Sequence, residues 1–133
     1  MAAFDWGGFL TLANILAGQA DEASRRTCVS RTYYHIYHLA RSRADRGGFR
    51  LKDNEGGSHK QLWTFYLKSA DAGCQALNVL GDRMRTRRVS ADYYAMYPKL
   101  NDDIGRMFDD AREFAERLAR IDPRHPNVAS QRQ

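Results

Sequence analysis

Cys28-Val29-Ser30-Arg31-Thr32-Tyr33-Tyr34-His35-Ile36-Tyr37-His38-Leu39-Ala40-Arg41 is the stretch on which the fold turns. No glycine or proline interrupts it, and it lies within a longer run from about Asp21 to Asp45 that reads as one helix. At roughly 100° per residue, Val29, Tyr33, Ile36, Tyr37, Ala40 and Ala44 gather into an apolar stripe that faces a core. Arg31, His35, His38, Ser42 and Asp45 gather on the opposite side. Arg31 and His38 are seven residues apart, so two helical turns bring them almost into register. An arginine and two histidines therefore share a face that points away from the chain's own core.

Outward from this helix the pattern stays helical. Asp5 caps a first helix from Trp6 to about Ala17, with Phe9, Leu12, Ala13 and Leu16 at inward spacing, and Gly18 ends it. Asp21 or Ser24 opens the long helix, and Gly47-Gly48 stops it. The segment from there to Gly57 is polar and reads as a mobile loop. Ser58 is an N-cap for a third helix carrying Leu62, Trp63, Phe65, Tyr66 and Leu67, which Gly73 kinks or breaks. Ala76, Leu77, Leu80 and Met84 extend the stripe into a fourth helical piece ending near Arg87, with Val89 to Tyr97 as a short connector. Pro98 suits the first turn of a last helix, where Leu100, Ile104, Met107, Ala111, Phe114, Leu118 and Ile121 alternate spacings of four and three. Pro123 and Pro126 follow, and residues 122–133 are expected to be a disordered tail. No stretch alternates like a strand. Four or five helices with short connections predict an all-α antiparallel bundle over residues 4–121, and its polar helix face invites pairing with a second copy.

Composition narrows the function classes. A chain of 133 residues makes one domain, and its 21 Lys and Arg against 16 Asp and Glu leave a net charge of +5. That balance favours the approach of phosphate-bearing partners. Cys28 and Cys74 fall on expected helices as buried free thiols, with no metal-ligand or redox spacing. The apolar run Phe9 to Leu16 is broken by Thr11 and Asn14 and makes neither a secretory signal nor a membrane span, so a cytoplasmic protein is expected. The loop before Ser58 lacks the glycine-rich phosphate cradle that ends in Gly-Lys-Ser/Thr. No metal or cofactor is called for.

Three segments share one resemblance. Ser30-Arg31-Thr32-Tyr33-Tyr34 leading to Tyr37-His38-Leu39-Ala40-Arg41 resembles the signature helix of the HEPN (higher eukaryotes and prokaryotes nucleotide-binding) superfamily. Gly57-Ser58-His59-Lys60-Gln61-Leu62 and Arg88-Val89-Ser90-Ala91-Asp92-Tyr93 are similar to two further segments of a prokaryotic subgroup, in the same order. The resemblance spans roughly residues 4–121. It implies a helical bundle that forms a homodimer and, in many members, cuts RNA without a metal, in defence, toxin–antitoxin or stress settings. The family's Arg, four to six residues, His motif falls on Arg31 and His38, with His35 inside it. A non-catalytic use of the same bundle, as the binding partner of a nucleotidyltransferase or another effector, is the alternative.

The chemistry fits these residue types. In metal-free cleavage the 2′-hydroxyl of RNA attacks the neighbouring phosphorus, so one proton must leave, another must reach the departing 5′-oxygen, and a crowded anion must be stabilised. Histidine suits the proton steps because its ordinary pKa of about 6.5 lies near working pH. Arginine suits the anion because its planar fork binds phosphate oxygens bidentately. One chain offers few such groups on one helix, and a two-fold pair of chains would double them. Arg31, His38 and His35 are therefore the candidate catalytic residues. Tyr34, His59, Arg83, Arg87 and Arg88 are the candidate contacts to RNA. Structural roles stand beside each: Tyr34 as packing, His59 as a hydrogen bond at the loop–helix junction, and the arginine run as a complement to a helix dipole. Trp63, Phe65 and Tyr66 read as core, and Asp92 and Tyr93 as ties between connector and bundle.

Overall fold

The structure, a computed structural model, describes residues 2–128. Five helices follow in order: α1 (Gly7–Ala17), α2 (Glu22–Arg46), α3 (Ser58–Lys68), α4 (Ala72–Tyr93) and α5 (Leu100–Arg120), with no strand among the described residues. Helix α2 packs against each of the other four and runs through the middle of the bundle. Its expected stripe is the core: Val29, Tyr33, Ile36, Tyr37, Ala40 and Ala44 are all buried. Six positions of the α5 stripe, from Leu100 to Leu118, are buried as well, while Ile121 is half-buried.

The starts of α2 and α4 follow from their caps. Asp21 accepts a hydrogen bond from the Ser24 amide at 2.9 Å, and Asp71 accepts one from the Cys74 amide at 3.0 Å. The break between α3 and α4 therefore falls at residues 69–71, and Gly73 lies inside the first turn of α4. Ser58 is the first residue of α3, with Gly57 at the cap position and no side chain capping it. Asp5 does bond the start of α1, accepting from the Gly7 amide at 2.8 Å, and Trp6 stands at the cap position.

Helix α4 is longer than its apolar residues suggest. It continues to Tyr93, so most of the expected connector from Val89 onward is helix and only residues 94–99 join it to α5. The reason lies in its inward stripe, Leu77, Gly81, Met84, Arg88 and Ala91, whose spacing alternates four and three while an arginine fills one inward position. Gly81 is required there: a Cβ would lie 2.6 Å from the Trp63 ring.

Two arginines of α2 tie down the far ends of its neighbours. Arg26 donates to the carbonyls of Ala91, Tyr94 and Ala95 at 3.1, 2.5 and 3.0 Å, closing the end of α4. Arg43 is buried and donates to the carbonyls of Leu118, Ile121, Asp122 and His125 at 3.2, 2.7, 3.0 and 2.9 Å. Ala91 and Leu118 belong to the last turns of α4 and α5 and the other acceptors lie just beyond them, where positive charge suits the helix ends. The second tether also corrects the expected tail. Residues 122–128 lie along the bundle with Pro126 fully buried, and Gly47 is packed against the Pro126 carbonyl. The disorder expected for residues 129–133 lies outside the described residues. No helix among the described residues is long and apolar enough to cross a membrane.

Two substitutions probe these contacts by urea denaturation. Arg43→Ala removes four hydrogen bonds to carbonyls at the end of α5 and is expected to cost about 2–4 kcal/mol. Gly81→Ala overpacks the Trp63 contact and is expected to cost about 1–3 kcal/mol.

Candidate functional site

The polar face of α2 is covered by α1. Helix α1 contains no charged residue, and the chain enters it through an aromatic cluster in which Trp6 stands 4.8 Å from Phe4 and 5.3 Å from Phe9 between ring centroids. This cluster rests on the residues that helical periodicity placed outward. The His38 imidazole stacks face to face on the Trp6 indole, 3.5 Å between centroids and 6° between planes. The Arg31 guanidinium lies 4.8 Å from the ring centres of both Phe9 and Tyr34. His35 is set apart from these two: its Nδ1 lies 3.3 Å from the Trp6 carbonyl, which makes that nitrogen the donor. Neither ring nitrogen of His38 has a hydrogen-bond partner among the described residues. Burial first, then the charges of Arg41 and Arg31, hold the His38 pKa below its ordinary value of 6.5.

A second imidazole joins this group from α3. The Trp63 indole N–H donates to the Tyr33 hydroxyl at 3.1 Å, and that hydroxyl lies 2.7 Å from His59 Nδ1. The Tyr33 oxygen thus accepts the indole proton and shares a second hydrogen bond with Nδ1, in a direction set by the ring tautomer. Burial, reinforced by Arg88, Arg85 and His38, pushes the His59 pKa down to about 4. The Tyr37 ring stands between the two imidazoles, 5.2 Å from His38 and 4.5 Å from His59. His59 thus makes its hydrogen bond across to α2 and not within the loop–helix junction as expected, and its ring faces the α2 cluster.

Helix α4 contributes the second guanidinium. Arg88 is buried, with its guanidinium 5.3 Å from the centre of Tyr34 and 5.5 Å from that of Tyr33. A relay joins it to Arg31: Arg31 Nη2 donates to Ser30 Oγ at 3.3 Å, Ser30 Oγ donates to Asp92 at 3.2 Å, and Arg88 Nη1 reaches the same carboxylate at 3.5 Å. Asp92 ties α4 to α2 as expected, whereas Tyr93 is 73% exposed and does not. The Nε atoms of Arg85 and Arg88 are buried with no hydrogen-bond partner among the described residues.

Arg31, His38, Tyr34, His59 and Arg88 are therefore brought together, with His35 at the edge. Arg83 and Arg87 are not. Arg83 bonds Asp110 through two nitrogens at 3.1 and 3.0 Å, and Arg87 pairs with Asp110 at 2.7 Å, which places both against α5. Helical periodicity explains the split: Arg83 and Arg87 are four apart and share one face, while Arg85 and Arg88 are three apart and share another. That spacing could have singled out Arg85. Nothing in the sequence signalled that Trp6 would lie over His38. No three His, Cys, Asp or Glu side chains among the described residues converge to hold a metal ion. Compared with known protein families, curated proteins and solved structures, the chain matches none of them.

The buried imidazole makes stability depend on pH. His59 takes a proton at about 4 in the folded chain against 6.5 in the unfolded one, so the unfolded chain is protonated first on acidification. Stability is full above pH 6.5 and falls as the pH drops through the interval to about 4. His38, shifted the same way, adds to the loss. For a partly solvated ring the His59 contribution is about 1–2 kcal/mol. Urea midpoints at about pH 7 and about pH 4.5 should differ less in His59→Asn, which keeps an acceptor for Tyr33, than in the wild type.

Proposed function

We propose that this chain is a metal-independent endoribonuclease that acts as a homodimer, with Arg31 as the phosphate clamp and His38 as the proton-transferring group. The observation that carries the reading is the pairing of Arg31 with His38, the one imidazole of α2 whose two nitrogens are uncommitted, at the motif through which the chain resembles HEPN proteins. His35, with Nδ1 engaged by Trp6, is assigned a supporting role.

The step balances without a cofactor. Neutral His38, kept so by burial and by Arg41 and Arg31, accepts the proton of the 2′-hydroxyl as its oxygen bonds to phosphorus. The bond from phosphorus to the 5′-oxygen breaks, and that oxygen takes a proton from a second acid, leaving a 2′,3′-cyclic phosphate and a 5′-hydroxyl. Arg31 stabilises the anionic phosphorane between. In this reading the second acid and second guanidinium come from the other copy across a two-fold axis. The RNA track continues along α2 into a 420 Å³ depression lined by Arg41, Asp45, Arg46, Phe49, Arg50 and Leu51.

One observation favours the alternative of a non-catalytic binding module that partners a nucleotidyltransferase or another effector. Trp6 covers one face of His38 and is itself 38% exposed, an arrangement that also serves to stack a base.

Cleavage of mixed RNA in the presence of a chelator separates the two. The nuclease reading expects products ending in 2′,3′-cyclic phosphate and a fall of about 10²–10⁴-fold in rate for His38→Ala. His35→Ala should lose less than about tenfold. Equal rates for wild type and His38→Ala would remove His38 from the chemistry, and RNA retained but uncut would favour the binding module.

A further inference from the structure

We propose that Arg85 and Arg88, together with His59 on the first turn of α3, form a phosphate-binding subsite on the α4 side of Tyr34, separate from the Arg31–His38 pair. The proposal holds whether or not RNA is cut.

Its root is a pair of unmet donors. Arg88 is 6% exposed, and arginine is rarely buried so far unless its charge and its N–H groups are matched. The match here is incomplete. Asp92 is the carboxylate Arg88 reaches, at 3.5 Å and through Nη1, and that carboxylate also accepts from Ser30. Arg88 Nε is left without a partner among the described residues, and so is Arg85 Nε one helical turn away. Arg88 thus has one partly solvated carboxylate, and the two guanidiniums of this helix face leave two N–H donors unmatched.

The third donor comes from His59. With Nδ1 engaged by the Tyr33 hydroxyl, Nε2 is the ring nitrogen left for a ligand, and the protonated ring presents an N–H there. The charges that act on His59 from neighbouring elements are Arg88 and Arg85 of α4 and His38 of α2, all of which oppose its protonation. No carboxylate offsets them there. The first turn of α3 carries no acidic residue and no side-chain cap, so its amides add no competing negative group.

The donor set selects the ligand. The Arg85 and Arg88 guanidiniums and the His59 ring come from two helices, and a phosphate offers enough oxygens to accept from all three groups. Guanidinium forks also suit tetrahedral phosphate better than a spherical anion. The phosphate can belong to an RNA backbone or to a free phosphate monoester, and the subsite chemistry is the same for both.

The imidazole resonances of His59, assigned against His59→Asn, report occupancy directly in the whole chain. Inorganic phosphate at about 10 mM, tenfold above a millimolar Kd, is compared with sodium chloride of equal ionic strength. Phosphate is expected to raise the His59 pKa from about 4 by about one unit, because a bound anion favours the charged ring. Arg85→Gln, at a half-buried position, should weaken that response about tenfold, as should Arg88→Gln where it folds. A nucleoside monophosphate and a 2′-O-methyl RNA oligonucleotide, which cannot be cleaved, then identify the source. Response at lower concentration to the monophosphate marks a terminal phosphate, and response at lower concentration to the oligonucleotide marks the backbone. Equal behaviour in phosphate and chloride, or an Arg85→Gln response like the wild type, overturns the subsite. RNA left intact while His59 responds would remove the nuclease reading alone. Cleavage with a silent His59 would remove the subsite alone.

Discussion

The bundle depends on guanidinium groups of α2 reaching clustered carbonyls at and just beyond the ends of α4 and α5. A helix in the middle of a bundle can bury apolar side chains on several sides, but burial alone does not fix the axial position of its neighbours. Arg26 and Arg43 do so, because each donates to a cluster of carbonyls that exists at one place along the partner helix. With the end of α4 held by Arg26, the preceding turn brings Arg88 over Tyr34 and Asp92 to Ser30. The register that closes the fold is thus the register that assembles the site.

Helix α3 is held by a different device. Its Trp63 indole and His59 imidazole both engage the Tyr33 hydroxyl, and its Tyr66 hydroxyl donates to the Ala40 carbonyl at 2.7 Å. Buried polar bonds of this kind are directional, and losing one partner strands the other away from water. They place the first turn of α3 against the middle of α2, where an apolar contact would have tolerated sliding. Burial, opposed by the Trp63 donor, lifts the Tyr33 hydroxyl pKa well above the ordinary tyrosine value, so it stays protonated beside His59.

Much of this was legible in the residues. The alternation of fours and threes along α5 and the apolar stripe of α2 both report burial faithfully, since in each the inward positions are occupied by apolar side chains. Helix α4 hid its length because Arg88 fills an inward position, and periodicity read from apolar residues stops where a charge replaces them. Helix α1 misled in another way: only Ala13 of its residues is buried and Leu12 is 41% exposed, because it meets the core along a narrow line through Ala13, Leu16 and Ala17. The docked segment 122–128 was missed because the donor that holds it, Arg43, lies some eighty residues earlier in the sequence. Within the site, the Arg31–His38 spacing is written in one helix. The approach of Trp6, His59 and Arg88 is tertiary, and local spacing carries no record of it.

The electrostatics of the site have one direction. Burial and neighbouring arginines depress both His38 and His59, and Asp92 is the acidic group placed among Arg31, Arg88 and Ser30. Such a site is poised against further positive charge, so at neutral pH its imidazoles rest as neutral donors and acceptors and not as acids. An anion entering among these groups reverses each of the terms that keep the rings neutral, since it supplies the missing charge and displaces the low-dielectric surroundings with matched hydrogen bonds. The same side chains that bind as neutral groups would then be able to hold a proton. A cluster built in this way links protonation to occupancy, and the link follows from the excess of guanidinium over carboxylate at this end of α2 and α4.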